Sequence, residues 1–498
     1  IQIHALKAIE IQRATEMGVY KMTTRNLSRL TVLTAEDMNR IHDASVKVLE
    51  QTGMVFQSQK ALDLLKKHGA TIDGKRAFIS RRMIEEALGE CPKTFKWRAL
   101  NENKSVDIGK GLLAQAGGGS VYIQDLDNGR RPGKLADFSN IQKLYQASDV
   151  IDIAGFSPID PSDLDSKNKH LYMQYEILKN TDKPVHGHVC GGHQAAQMLD
   201  MIEIAFGEDN LMQNHHVMGL SINTISPLGF GEDQIDTLYE YAARNQIIIA
   251  APMAIGGASA PLSHVGMTVL VNAEILAIIV LTQLINPGNP VFMAPSSSFA
   301  DMRTGAYSSG IPDGMLHLIS HIQLCRDYYQ LPARVLCGSC DSKEVDAQAG
   351  YETMQNIMTA VMAGADLVAH VSGVLEGIMT ISYEKMIIDE ELVRRAKYYA
   401  SRNIDVSEEA LSVDVIKDVG PGGTFLTHQS VYDNCRGYLF TPSISDWLNF
   451  AEWQREGAHD VVARANKVFK ERLAAAPESI LDSEVLADLQ AYIEKHKS

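Results

Sequence analysis

The chain has little cysteine, no excess of positive charge and no apolar run long enough to suggest a comfortable membrane span. Six cysteines among 498 residues are too few for a disulfide scaffold, and a chain of this length can bury a core without one. The formal net charge of −15 argues against a general nucleic-acid binder, which needs a basic face. We therefore expect a soluble protein of the reducing cytoplasm, with no nucleic-acid partner and no membrane contact.

Nucleotide-binding signatures are also missing. Neither GGGSVY nor GPGGTF completes the G-x-G-x-x-G pattern, and no Walker loop occurs. This weighs against an open, doubly wound sheet, which is the alternative architecture. The longest apolar stretch, residues 269–285, contains Asn272 and Glu274, so we interpret it as a buried helix.

From residue 151 onward, short β-prone runs alternate with polar loops and helical segments. Eight such runs begin near residues 151, 184, 215, 247, 290, 333, 367 and 425. This alternation is typical of a parallel sheet with crossover helices, and eight units predict a (β/α)8 barrel. Before these units, Thr34 to Asp37 resemble a helix capping box, and Asp-Asn-Gly at 127–129 predicts a turn between two strands.

The predicted fold class is therefore α/β, a (β/α)8 TIM barrel with an N-terminal, mainly helical extension and a small β-hairpin region. The predicted divisions are an N-terminal extension (1–33), a helical and β region packed on the barrel (34–150), the barrel (151–450) and C-terminal helices (451–498). The chain does not begin with Met, whereas Met17 and Met22 could each be a start. We expect residues 1–21 to be dispensable.

In such barrels the working residues lie at the carboxyl ends of the strands. Here these positions are His186, His188, Asn223, Ser226, Met253, Ser296 to Ser298, Phe299, Gly338 to Asp341, His370 and His428. They are rich in neutral polar and small residues and poor in lysine and arginine.

Two pairs of residues at these ends suggest metal or redox chemistry. His186 and His188, two apart on a strand, point to the same side and are compatible with zinc, so a metal-dependent barrel hydrolase that also uses His370 is a rival hypothesis. The remaining ligands of such a site are hard to find, and we expect no metal. Cys337-x-x-Cys340 ends a strand instead of opening a helix, and no second cysteine pair completes a zinc site. We interpret these thiols as lining a reduced cavity, and their role stays open.

Four separated motifs carry a resemblance over nearly the whole chain from Met22 onward. They are GRRPGKLADF (129–138), CGSCDSKEVDAQAGYE (337–352), ISYEKMIIDEE (381–391) and FLTH (425–428). In order and spacing they resemble the trimethylamine:corrinoid methyltransferase superfamily. The founding branch carries pyrrolysine, whereas every residue here is a standard one. The resemblance therefore points to the non-pyrrolysine branch, whose members demethylate quaternary amines.

The resemblance implies a barrel enzyme that moves a methyl group from a small quaternary amine to the Co(I) corrinoid of a cognate corrinoid protein. Glycine betaine is the expected substrate, with proline betaine and carnitine as alternative substrates. A non-catalytic protein that only binds betaine is an alternative function. The corrinoid comes with the partner, so no tightly bound cofactor is expected, and relatives of this size imply a homo-oligomer. Loss of a methyl group leaves a neutral amine that needs no proton, so we predict no catalytic side chain.

The predicted substrate site combines aromatic faces for the cation with hydrogen-bond donors for a carboxylate. Aromatic faces attract a desolvated cation by about 0.5 to 2 kcal/mol each. The predicted aromatic residues are Tyr122, Phe299, Tyr351 and Tyr383, and the predicted donors are Asn223, His370 and the backbone near Gly338, with His188 in reserve. We expect Glu352 and Glu384 to hold loops through backbone hydrogen bonds, while Glu376 could support the cation. The Gly-rich segment 117–119 is expected to help form the rim.

Overall fold

The computed structural model describes residues 29–402, 404–435 and 438–497, so residues 1–28 of the predicted extension lie outside the described residues. The strands β1 to β20 span, in chain order, Met54–Phe56, Thr71–Asp73, Arg76–Phe78, Phe95–Trp97, Val106–Ile108, Leu113–Ala114, Tyr122–Asp125, Gly129–Pro132, Val185–Gly187, Met218–Ile222, Gly229–Phe230, Ile247–Ala250, Ile255–Gly256, Val291–Met293, Ser298–Ala300, Tyr307–Ser308, Arg334–Leu336, Leu367–Ala369, Val374–Leu375 and Thr380–Ser382. The α-helices span Ala35–Lys47, Gln59–Lys67, Arg81–Glu90, Leu135–Ala147, Lys169–Asn180, Gly192–Phe206, Leu211–Asn214, Glu232–Ala243, His264–Ile285, Pro312–Gln323, Ala347–Ala363, Tyr383–Ser401, Glu408–Leu411, Val413–Val419, Gln429–Asn434, Phe450–Arg455, Val461–Ala475 and Ser483–His496.

Parallel strands form the centre of the fold. The parallel strand set consists of β6, residues 153–154, β9, β10, β12, β14, β17 and β18. Within it, β9, β10, β12 and β14 pair in that order, and β18 pairs with both β6 and β17. Isolated parallel bridges link the remaining neighbours at Gln115–Ile153, Ala154–Val185 and Met293–Ala333. Each member of the set therefore has a parallel neighbour on both sides.

The predicted strand at residues 425–428 is wrong. This segment contains turns and bends, and the His428 side chain accepts a hydrogen bond from the N–H of Ser430 at the start of the helix Gln429–Asn434. The parallel segment that the sequence pattern missed is β6, which lies before the predicted barrel range of 151–450. It is only two residues long, so no hydrophobic period could identify it.

Other local predictions are confirmed. Thr34 and Asp37 form a capping box on the helix Ala35–Lys47. The strands β7 and β8 form an antiparallel hairpin around the Asp-Asn-Gly turn. Residues 269–285 belong to the helix His264–Ile285, which in the described part of the chain is the one helix long and apolar enough to cross a membrane. It is mostly buried, so it is a core helix of this fold.

A small hairpin, β4 with β5, covers the amino end of the parallel strand set. Its Phe95 and Trp97 pack in one apolar cluster with Ile247 and Phe292, which lie on β12 and β14. Gly219 near the start of β10 lies against the indole, because a Cβ there would approach the Trp97 ring to 2.3 Å. This end of the interior is filled, so a polar ligand would enter from the carboxyl ends of the strands.

Candidate functional site

Buried polar side chains meet inside the parallel strand set. His186 on β9 has its Nε2 3.0 Å from Oγ of Ser221 on β10. Arg334, the first residue of β17, donates through Nε to Oε1 of Gln115, which follows β6, at 2.7 Å. Since β18 lies between β17 and β6, this bond spans the inner face of the set. With His370, which follows β18, these residues form what we call the inner cluster.

Burial determines which members of the inner cluster are charged. Burial, and after it the positive charge of Arg334, lowers the pKa of His370 to about 3. The same two causes lower the pKa of His186 well below its usual value. Burial also lowers the pKa of Arg334 to about 10, which still leaves the guanidinium charged at neutral pH. The inner cluster thus holds two neutral imidazoles and one cation.

The backbone at the ends of β17 and β18 is tightly constrained. His370 has a left-handed backbone with φ of 61°, which few non-glycine residues adopt and which often marks functional sites. A Cβ on the neighbouring Gly338 would lie 2.2 Å from the His370 carbonyl oxygen, so glycine is required there. The N–H of Gly338, predicted to meet a carboxylate, donates to the carbonyl of Ala369 at 3.1 Å.

Phe156 is an aromatic residue that contacts two members of the inner cluster, and the strand-end pattern of the sequence does not single it out. Its ring centroid lies 4.3 Å from that of His186 and 5.5 Å from that of His370. The ring packs closely against the Gly-rich segment, since a Cβ on Gly118 would come within 1.4 Å of Phe156 Cδ1. The glycine at 118 therefore makes room for this ring. Phe156 is half-buried, so one part of it faces accessible space.

The predicted donors fall in different surroundings. His370 belongs to the inner cluster. Asn223 follows β10 and donates through Nδ2 to the carbonyl of Ala251 at 2.7 Å. His188 follows β9, where burial, and after it the charge of His170, lowers its pKa to about 4. Within residues 29–402, 404–435 and 438–497, no group of three or more His, Cys, Asp or Glu side chains is arranged to hold a metal ion.

Two of the predicted aromatic residues are occupied by other partners. The guanidinium carbon of Arg130 lies 3.5 Å from the ring centroid of Tyr122, so this ring already carries a cation of the protein. Tyr383 stacks on Phe469 with a centroid separation of 5.0 Å. Its hydroxyl also donates to Asp137 at 3.1 Å. The contacts of Tyr383 therefore join its helix to the helices Val461–Ala475 and Leu135–Ala147.

Of the other two predicted aromatic residues, one is buried and one is exposed. Phe299 is buried on β15, with its ring centroid 5.0 Å from that of His264, and it packs against Gly256. Tyr351 is exposed on the helix Ala347–Ala363. Their use by a substrate stays a prediction, as does that of Tyr122 and Tyr383.

The acidic residues of the sequence motifs hold the loops that follow the strands. Asp341 accepts from the N–H of Ser309 at 2.8 Å, and Glu352 accepts from the N–H of Asp341 at 2.7 Å. Glu384 accepts from the N–H of Leu126 at 2.8 Å. The predicted loop-holding roles of Glu352 and Glu384 are confirmed.

Cys337 and Cys340 are free and buried. Burial raises the pKa of Cys337 to about 12 and also raises that of Cys340. The thiolate, which is the reactive form, is therefore disfavoured at both positions.

A family model described as Trimethylamine methyltransferase (MTTB) matches residues 5–498. The chain belongs to this family. Among its curated relatives, the glycine betaine methyltransferase of Desulfitobacterium hafniense (strain Y51) is 35% identical over 94% of this chain and 97% of its own length. The proline betaine:corrinoid methyltransferase of Eubacterium limosum is 31% identical over 89% of this chain and 93% of its own length.

A solved structure shares the fold of this chain. The monomethylamine methyltransferase (MtmB) of Methanosarcina barkeri superposes with a TM-score of 0.52 at 12% identity, covering 94% of this chain and 92% of that one. At this identity the likeness concerns the fold alone.

Proposed function

We propose that this chain transfers a methyl group from a small quaternary amine, with glycine betaine as the first candidate, to the Co(I) corrinoid of a cognate corrinoid protein. The inner cluster and the adjoining Phe156 ring carry the proposal, because together they combine an aromatic ring and neutral imidazoles with a single buried cation. The relatives named for glycine betaine and proline betaine support the substrate class. Proline betaine and carnitine are the alternatives, because they share the methylated nitrogen and the carboxylate.

The inner cluster fits a reaction whose nucleophile comes from outside the chain. The partner's corrinoid supplies the Co(I) that accepts the methyl group. Phe156 offers its ring face to the methylated nitrogen. His186 and His370, both neutral, add no repelling charge, and the buried surroundings exclude water from the reacting carbon. No side chain has to move a proton, since the product amine leaves neutral.

The architecture that accompanies this function is a closed (β/α)8 barrel. The pairing of each member of the parallel strand set on both sides supports closure. The proposed barrel begins at β6 instead of residue 151, the region before it includes the β4–β5 hairpin, and residues 451–498 add C-terminal helices. The six free cysteines support a location in a reducing compartment such as the cytoplasm.

The corrinoid protein docks on the loops that follow the barrel strands. Exposed apolar side chains lie there, and they include one group of Leu262 with Met302 and one of Val121 with Met379. A Cβ on Gly257 would lie 2.7 Å from Met302 Sδ and 3.2 Å from Leu262 Cδ1, so the first group is contiguous. Exposed apolar patches of this kind are typical of protein interfaces.

Met302→Glu is expected to raise the KM for the corrinoid protein by about tenfold, because a charge would be buried in an apolar contact. The KM for glycine betaine should not change. The matched control is Met362→Glu, since Met362 is also exposed but lies near the end of the helix that leads into the amino end of β18. Equal effects of the two substitutions would contradict docking at this end.

The function itself is tested with purified protein, reduced corrinoid protein and separate additions of glycine betaine, proline betaine and carnitine. Methylation shifts the absorption spectrum of cobalt, and we expect the largest rate with glycine betaine. Binding of betaine without methylation would favour the non-catalytic alternative. Stoichiometric zinc in the active protein would favour the hydrolase hypothesis built on His186, His188 and His370.

The chain forms a homo-oligomer through its C-terminal part. Between residues 404 and 450, the described residues expose many large apolar side chains: Ile404, Val406, Leu411, Val413, Ile416, Phe425, Leu426, Tyr432, Tyr438, Leu439, Trp447, Leu448 and Phe450. Monomeric proteins rarely expose large areas of apolar surface, and a second copy would cover these side chains. Leu426→Glu combined with Trp447→Glu is expected to shift the mass measured by light scattering to that of a monomer. An unchanged mass would overturn this interface.

A further inference from the structure

Arg334 is a buried cation without an acidic partner. Arg334 is only 2% exposed, and its Nε donates a hydrogen bond to a neutral amide, that of Gln115. In the described part of the chain no Asp or Glu forms an ion pair with it, and no carboxylate contributes to its pKa. Taking an unpaired charge out of water costs several kcal/mol, and folded chains normally offset this cost with a counter-charge.

Other buried groups of the inner cluster also lack partners. Within the described residues, Gln115 Nε2 and His370 Nδ1 are buried nitrogen atoms with no hydrogen-bond partner. The amide of Gln115 is held at its oxygen by Arg334, which leaves its N–H2 group free to donate. Arg334 supplies a cation, Gln115 an unpaired donor beside it, and His370 an unpaired imidazole nitrogen. Such a set of groups suits a carboxylate.

The position of Arg334 fixes the direction in which a ligand would lie. Arg334 opens β17, so its side chain rises from the covered end of the interior towards the strand ends, where it meets Gln115. Phe156 and His370 come after their strands, nearer the open end. A zwitterion entering from the carboxyl ends would therefore meet the aromatic ring and the guanidinium at different depths.

We propose that Arg334 binds the carboxylate of the substrate and thereby turns the methylated nitrogen towards the open end of the barrel. This inference rests on the proposed function and extends it to specificity. A guanidinium can donate two parallel hydrogen bonds to one carboxylate. It also repels any ligand that carries a positive charge without a carboxylate, so simple methylated ammonium ions are selected against.

Three ligands distinguish the contribution of the ammonium end to binding from that of the carboxylate end. Glycine betaine carries both charges, tetramethylammonium only the cation, and acetate only the carboxylate. Their Kd values are measured by titration calorimetry on the full chain, for the wild type, Arg334→Met and Arg334→Lys. Arg334→Met keeps most of the side-chain length and removes the charge, whereas Arg334→Lys keeps the charge and loses the two-pronged geometry.

Arg334→Met is expected to raise the Kd of glycine betaine by about ten- to a hundredfold, as for the loss of hydrogen bonds to a charged group. The same substitution should leave the Kd of tetramethylammonium unchanged or lower it, because a repulsion is removed. Acetate should bind the wild type and not Arg334→Met. Arg334→Lys should weaken glycine betaine binding by a smaller factor, and it keeps the test valid if Arg334→Met melts much earlier than the wild type.

Two results would overturn the inference. One is an unchanged Kd of glycine betaine in both variants, and the other is an equal loss of glycine betaine and tetramethylammonium binding in well-folded protein. The outcome for the proposed function is separate. Arg334-dependent binding of betaine by a protein that cannot methylate the corrinoid would refute the function and keep the site. Methylation of the corrinoid that does not depend on Arg334 would keep the function and refute the carboxylate site.

Discussion

Phe156→Ala is expected to raise the KM for glycine betaine by about 2- to 30-fold, which corresponds to the loss of one cation–π contact. The ring of Phe156 contacts His186 on β9 and His370 after β18, so alanine would remove the aromatic face nearest to the proposed position of the methylated nitrogen. Steady-state methylation of the corrinoid protein measures the effect. Phe156→Leu should show a similar loss, because it keeps apolar volume without the ring quadrupole, and Phe156→Trp should retain activity.

A substitution at a neighbouring residue is expected to displace the Phe156 ring without changing residue 156 itself. A Cβ on Gly118 would overlap the Phe156 ring at 1.4 Å, so Gly118→Ala is expected to move the ring and to raise KM as Phe156→Ala does. Gly350→Ala is the matched control, because its added Cβ meets no atom within 4 Å. If Phe156→Leu kept the wild-type KM while melting normally, the ring would have no part in binding the cation.

The sequence predicted the alternation of strands and helices because buried parallel strands are short apolar runs, and seven of the predicted runs contain members of the parallel strand set. It missed β6, since Leu113 and Ala114 are too few to show a period. It placed a strand at residues 425–428, where an apolar pair, Phe425 and Leu426, is exposed instead of buried. Local pattern does not distinguish these two cases, because tertiary contacts decide them.

The site was predicted in part for a related reason. His370 was found because it follows its strand, which is where working residues of such folds lie. Arg334 is the first residue of its strand, so a rule that considers only strand ends does not select it. Its long side chain nevertheless places the charge in the inner cluster. Phe156 follows a parallel segment of only two residues, and the closeness of its ring to two histidines on other strands is a tertiary property.

Asp389→Ala is expected to lower the free energy of unfolding by about 3 to 5 kcal/mol, because it would leave a buried ammonium without its counter-charge. Lys385 and Asp389, within the ISYEKMIIDEE motif, have side chains only 2% and 1% exposed. The Lys385 ammonium donates to both oxygens of Asp389, at 2.8 and 2.7 Å, and to Thr353 at 3.0 Å. Asp389 also accepts from the N–H of Gly373, three residues after His370, at 2.7 Å. Urea unfolding measures the loss.

A double variant separates the cost of an unpaired charge from the value of the pair. Lys385→Met with Asp389→Leu removes both charges, so its unfolding free energy should lie well above that of Asp389→Ala, because apolar residues of similar size often replace a buried pair at little cost. Glu86→Ala is the exposed control. It breaks the solvent-exposed pair with Arg82 and should change stability by less than about 1 kcal/mol. If Asp389→Ala were as stable as Glu86→Ala, the Asp389 carboxylate would not be compensating a buried charge. A double variant no better than the single one would instead assign the loss to the Gly373 hydrogen bond, and hence to the loop that follows His370.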